Sequence, residues 1–198
     1  MAPESLKGPA RTRGPAAQQI SRRSLFLLTG IGSVSLLTAC ADDGPASSTA
    51  ETSLPAKVAE YGVDPARLAM TVYKDPSCGC CGGWVEHAQD NGFSITTKHP
   101  EALHEVWSRH DIPLDLQSCH LALNPDGAVF VGHVPARFVL EYLADPPKGA
   151  RGLSVPAMPV GTPGMEQGDE FDPYEVMLIT DGKPSVFANV RKPSQQRT

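Results

Sequence analysis

No apolar run in this chain reaches the roughly 20 residues that a bilayer-spanning helix needs. The candidate near the start, Leu25 to Ala39, is shorter and is broken by Gly30, Gly32 and several hydroxyl residues. It reads as the apolar part of an export leader. No repeat of solenoid period is visible, which excludes a stacked-repeat architecture. A basic surplus is also missing. The chain holds 17 Lys and Arg against 22 Asp and Glu, and five of those basic residues but one acidic residue precede position 40. Without that leader 12 basic and 21 acidic residues remain, a net charge of −9. Such a balance argues against nucleic acid as a partner, because a phosphate backbone recruits Lys and Arg. Spaced cysteine pairs, the usual frame of an exported disulfide-stapled domain, are lacking too. Of five cysteines, three crowd into Cys78-Gly79-Cys80-Cys81.

The leader has its own signals. Ser21-Arg22-Arg23-Ser24-Leu25-Phe26-Leu27 is a twin-arginine pattern with slightly altered spacing, and the apolar stretch closes on Leu37-Thr38-Ala39-Cys40. That tetrapeptide resembles a bacterial lipobox, in which the cysteine becomes the lipidated first residue of the mature chain. The expected layout is a signal peptide over 1–39, a flexible tether over 40–60, a folded domain over 61–193 and a tail over 194–198. The tether rests on Ala41–Ala56, rich in Asp, Ser, Thr, Ala and Pro without core-forming periodicity.

Within the domain, Ala69–Tyr73 reads as a strand, Cys80–Asp90 as a helix stopped by Asn91-Gly92, and Phe93–Lys98 as an alternating strand. A helix from Pro100 to His110 follows. Cys119–Leu123 and Ala128–His133 flank the turn Asn124-Pro125-Asp126-Gly127 as a hairpin, and Pro135 opens a further helix. The order β-α-β-α-β-β-α is that of a thioredoxin-like α/β core. Gly149 to Asp172 has almost no periodicity and predicts a long Pro/Gly/Met loop. Tyr174–Thr180 and Ser185–Asn189 predict a C-terminal β-hairpin.

This order places the Cys78–Cys81 turn at the start of the first helix, facing the start of the third strand. Cys119, some 40 residues downstream, is expected to return to it. A turn over 124–127 sets Leu123 opposite Ala128, His120 opposite Val131 and Cys119 opposite Gly132, leaving room for a large group at the glycine. His133 comes back to the same end.

Four converging thiolates admit three chemistries. A structural zinc site is one, although this chain has a single C-x₂-C knuckle where two are usual. A dithiol couple of Cys78 and Cys81 is another, which leaves Cys80 and Cys119 without a role. Copper(I) is the best fit, since a soft ion accepts bridging sulfurs and low coordination. Met158 and Met165, flanked by Pro and Gly, are candidate thioether ligands or gap-fillers. His133 is a candidate ligand or gate, and His120 a ligand or a buried structural residue.

Val72–Trp84, Ser118-Cys119-His120, Gly132-His133-Val134-Pro135 and Met158–Glu166 together resemble the exported CxCC proteins, a metal-binding or copper-resistance family of the CopG type. The likeness runs from about Leu68 to Val190. It implies a thioredoxin-like fold and copper handling in the cell envelope, with Cys78, Cys80, Cys81 and Cys119 as cluster ligands. Metal ions, other envelope copper-handling proteins and, through Cys40, the membrane are the partners expected. The expected role is metal binding, with copper redox activity compatible with it and no catalytic residue assigned. The lipobox rests on Leu37–Cys40 alone.

Overall fold

The computed structural model describes residues 56–197. The leader and Cys40 lie outside the described residues. Four helices pack around one seven-stranded mixed sheet: α1 Ala56–Tyr61, α2 Gly79–Asp90, α3 Leu103–Arg109 and α4 Ala136–Ala144. The strands are β1 Ala69–Lys74, β2 Ser94–Lys98, β3 His120–Leu123, β4 Val129–Val131, β5 Ala150–Ser154, β6 Tyr174–Thr180 and β7 Ser185–Val190. Their order across the sheet is β2-β1-β3-β4-β5-β6-β7. β1 and β2 are parallel, as are β4 and β5, and the other neighbours are antiparallel. Among the described residues, no helix is long and apolar enough to cross a membrane.

Alternation along the central strands builds a core on each face of the sheet. Val72, Phe130 and Leu153 point to one face, where Val58 of α1, Trp84 and Ala88 of α2 and the apolar side of α4 cover them. Leu121, Val129 and Val131 point to the other, under Val106 and Trp107 of α3 and Leu116. β4 is so short that its three residues, all buried, split between the two cores. All of α1 but Tyr61 falls in the span read as tether, and its Val58 is fully buried.

Two expectations need correction. The aperiodic stretch after Gly149 is not all loop, because Ala150–Ser154 forms β5 between β4 and β6. Arg151 and Gly152 hide the strand pattern. Gly152 is there because a Cβ on it would fall 1.7 Å from the carbonyl oxygen of Val129, its partner across the parallel pair. The hairpin register is also shifted by one. Leu121 pairs with Val131 and Leu123 with Val129. Asn124 belongs to the ladder: its N–H donates to Ala128 O (3.1 Å), and its side-chain oxygen accepts from Ala128 N–H (2.8 Å). The loop is therefore Pro125-Asp126-Gly127, with Gly127 at φ 87° supplying the left-handed residue that a three-residue hairpin requires.

Candidate metal centre

The turn before α2 is fixed by local hydrogen bonds. Asp75 accepts from the backbone and hydroxyl of Ser77, and its carbonyl accepts from Cys78 N–H. Cys78 then becomes the N-cap of α2, its sulfur taking the N–H of Cys81 at 3.3 Å. The first turn of a helix leaves backbone N–H groups without intrahelical partners, and their field favours negative charge there. Cys80 and Cys81 occupy that turn, Cys81 wholly buried and Cys78 and Cys80 partly so. Cys119 sits immediately before β3 and arrives as the topology requires. The Cys78, Cys80, Cys81 and Cys119 sulfurs all lie within 4.8 Å of one another.

Two of these sulfurs are joined. Cys78 and Cys81 form a disulfide, their Cα atoms 5.4 Å apart, while Cys80 and Cys119 are free thiols. Cys80 Sγ stands 3.5 Å from Cys78 Sγ. Cys81 Sγ lies 3.7 Å from the carbonyl oxygen of Cys119.

The corrected register sets Gly132 beside His120, with Gly132 N–H donating to His120 O, and so carries His133 to the level of Cys119. His133 Nε2 is 3.1 Å from Cys119 Sγ, and His120 Nδ1 is 3.3 Å from it. Both histidines are fully buried. His133 Nδ1 lies 2.8 Å from the carbonyl oxygen of Pro163. A carbonyl only accepts, so Nδ1 carries the proton and Nε2 presents its lone pair to Cys119. The His120 ring lies between Trp84 and His133, with centroid separations of 4.7 and 5.1 Å. Trp84 is anchored by its indole N–H on Val134 O. Lys74, almost buried and opposite His120 in the β1–β3 register, donates from Nζ to Asp75 O.

The protonation states follow from burial. Loss of solvent pushes the Cys119 thiol up to about 11, with the nearby Cys80 adding to the rise. Burial likewise drives His120 well below its ordinary range and lowers His133, against a smaller opposing effect of the Pro163 carbonyl. Cys119 and His133 are thus a neutral thiol donating to a neutral imidazole. A thiolate–imidazolium nucleophile of the kind that drives acyl transfer is disfavoured by both shifts.

The space expected beside Gly132 is already filled. A Cβ there would lie 2.5 Å from Val155 O and 2.6 Å from Ser118 Oγ. The segment after β5 closes over the site, a role that no periodicity in the sequence announces. Ser118 Oγ donates to Ala157 O at 2.6 Å, and Pro163 holds His133. Gly164 packs on α2 so closely that a Cβ on it would sit 2.4 Å from Cys80 O. Met158 is half exposed and Met165 partly buried on this segment. Of the other histidines, His87 is structural, its Nε2 accepting the N–H of Ala136 at the start of α4.

The chain resembles two solved structures of a copper resistance protein, copG, in two forms. One is 40% identical with a TM-score of 0.59 over 63% of this chain and 98% of that one. The other is 42% identical with a TM-score of 0.57 over 62% of this chain and 98% of that one. This chain belongs to the CopG family. A family model described as a protein of unknown function, DUF411, matches residues 116–165, the span from Cys119 through His133 to Met165. No curated protein matches. The CopG likeness thus takes in nearly the whole length of the solved relatives.

Proposed function

We propose that this protein is an envelope copper-binding protein that holds copper(I) on Cys78, Cys80, Cys81 and Cys119 and serves in copper resistance or homeostasis. The fold is read as a thioredoxin-like core extended by β5–β7. The cargo reading is supported above all by the convergence of four sulfurs within 4.8 Å. A metal–sulfur bond of about 2.3 Å lets two sulfurs on one ion lie at most roughly 4.6 Å apart, so small movements suffice for ligation and bridging. Soft thiolates select copper(I) over harder ions. Loading on all four sulfurs requires that the Cys78–Cys81 disulfide first be reduced by exchange with an external dithiol, which gives up two electrons and two protons and leaves as a disulfide, and ligation then releases the thiol protons. Export, cleavage after Ala39 and a lipid at Cys40 complete the proposal, placing the domain on the membrane by its N-terminus.

A second reading is favoured by the disulfide itself. Cys78 and Cys81 at a helix start are a dithiol couple, which supports thiol–disulfide exchange as the alternative activity. A structural zinc domain is the third reading. The deciding experiment is anaerobic titration of the fully reduced protein with copper(I). More than one ion per chain, falling in Cys119→Ser, is expected. An unchanged stoichiometry in Cys119→Ser sinks the four-cysteine site.

A further inference from the structure

The turn end of the β3–β4 hairpin, away from Cys119, borders a cavity of about 450 Å³, within the size range of small-molecule sites. Arg67 from the turn before β1, Arg109 at the end of α3 and Arg151 in β5 line it, together with Tyr142 of α4. These are three of the six arginines after position 40, in a stretch that is acidic in sum. We propose that this cavity binds a small organic anion, whose phosphate or carboxylate group is held by Arg109, Arg67 and the Tyr142 hydroxyl.

Three observations carry it. The first is an unused hydroxyl. Tyr142 is 2% exposed and lines the cavity, and its hydroxyl has no hydrogen-bond partner among the described residues. Its ring is fixed edge-on against Phe130, with centroids 5.6 Å apart. A buried hydroxyl without a partner is destabilising, so an acceptor on a ligand supplies what the fold does not. The second is an unpaired guanidinium. Arg67 pairs with Asp126, and Arg151 with Asp181, whereas Arg109 has no ion-pair partner among the described residues. The third is support. Arg67 donates from Nε to Asp126 and from Nη1 to Leu143 O of α4, which leaves Nη2 for a ligand. Arg151 donates to the carbonyls of His110 (3.2 Å) and Asp111 (2.8 Å), tying the end of α3, and with it Arg109, to β5.

The lining also decides the ligand class. Asp111 and Asp126 border the cavity too, so directed donors select the ligand and bulk charge does not. A guanidinium offers parallel N–H groups that match two oxygens of a phosphate or carboxylate, and the phenol adds a further donor. Burial raises the Tyr142 pKa and the Arg67 guanidinium opposes the rise, so the two groups face each other. Burial and then Arg109 lower the pKa of His110, with Asp111 opposing and Arg151 adding to the fall. That imidazole is neutral at pH 7 and can accept from a hydroxyl on the same ligand, which favours an organic anion over a bare ion. The cavity shares no residue with the cysteine cluster, and the inference does not rest on the copper reading.

Titration calorimetry of the full chain at constant ionic strength is the test. The probes are glycerol phosphate and succinate, with chloride as the control. Saturable binding of one anion per chain is expected, and the stronger of the two probes tells phosphate from carboxylate. Arg109→Gln should weaken it about tenfold and Tyr142→Phe about fivefold, the worth of a charged and of a neutral hydrogen bond. Neither variant removes a contact that holds the fold. The melting temperature without ligand should be unchanged in Arg109→Gln and unchanged or higher in Tyr142→Phe, which loses only a hydroxyl without a partner. A lower melting temperature in Tyr142→Phe would give that hydroxyl a protein partner and overturn the inference. So would saturable binding of neither probe at millimolar concentration, or binding that both variants keep. Equal displacement by chloride, the mark of an adventitious ion only, overturns it as well.

Discussion

Gly164 rests on the backbone of Cys80: a Cβ at Gly164 would lie 2.4 Å from the Cys80 carbonyl oxygen and 2.6 Å from Trp84 N. Opposite it, a Cβ on Gly83 would lie 2.9 Å from the Cα of Gly164. The segment after β5 thereby reaches the helix that carries Cys80 and Cys81 and is capped by Cys78, and the neighbouring Pro163 reaches His133. Gly164 also has φ 84°, a conformation that side-chain-bearing residues rarely adopt.

Gly164→Ala should therefore push this segment off α2. A loss of about 1–3 kcal/mol is expected from the clash and the backbone strain together. Thermal melts measure it, and limited proteolysis should cut within residues 157–166 faster than in the natural chain. Cys80 then loses the packing on its backbone that Gly164 supplies, so copper(I) affinity should fall as well. Unchanged melting and unchanged metal uptake would show that the contact is incidental.

The cysteine cluster was legible because each of its parts has a local signal. A strand, an Asp-Pro-Ser turn and a helix place Cys78, Cys80 and Cys81 together, and a hairpin signal brings Cys119 and His133 back. What was not legible depends on contacts between distant residues. Asn124 reads as a turn residue, yet its side chain and backbone both tie to Ala128, and that shifts every hairpin pair by one. The shift matters, since it sets Gly132 rather than Val131 against His120. β5 contains an arginine and a glycine, and only the approach of Val129 O explains the glycine. Pro163 contributes a backbone carbonyl, which no side-chain pattern announces.

The Cys119 thiol offers a test of its environment. With Cys78–Cys81 oxidised and Cys40 and Cys80 changed to serine, alkylation reports Cys119 alone. Burial raises its pKa from 9.0 to about 11, so at pH 8 its thiolate should be ~100-fold scarcer than that of an unperturbed thiol. The rate should climb tenfold per pH unit and level off only near pH 11. A plateau below pH 9 would mean that His133 or Lys74 stabilises a thiolate, and would revive the nucleophile that the neutral pair disfavours.

Tyr174 predicts an alkaline limb of stability. It is nearly buried, its hydroxyl donates to Gln196 Oε1 at 2.7 Å, and burial raises its pKa above the ordinary 10.0. The fold thus prefers the neutral phenol. Its contribution is whole below pH 10 and is lost as pH rises towards the folded value, because the unfolded chain ionises first. Tyr174→Phe should cost about 1 kcal/mol at pH 8 through the lost hydrogen bond. That gap should narrow above pH 10 in denaturant titrations. A gap constant from pH 8 to pH 11 would place the ionisation elsewhere.

Cys80 separates the two main functional readings. It stands 3.5 Å from Cys78 Sγ but outside the Cys78–Cys81 bond. Thiol–disulfide exchange between Cys78 and Cys81 has no need of it, whereas a four-sulfur copper site loses a quarter of its ligands without it. Cys80→Ala should therefore lower the copper(I) stoichiometry of the reduced protein and reduce copper tolerance in a strain that depends on it. It should leave the Cys78–Cys81 disulfide intact by mass mapping, which rules out misfolding as the cause. Reduction of a model disulfide without metal supplies the opposing readout. Strong activity of that kind, unaffected by Cys80→Ala and abolished by Cys78→Ala, would transfer the assignment from copper binding to thiol–disulfide exchange.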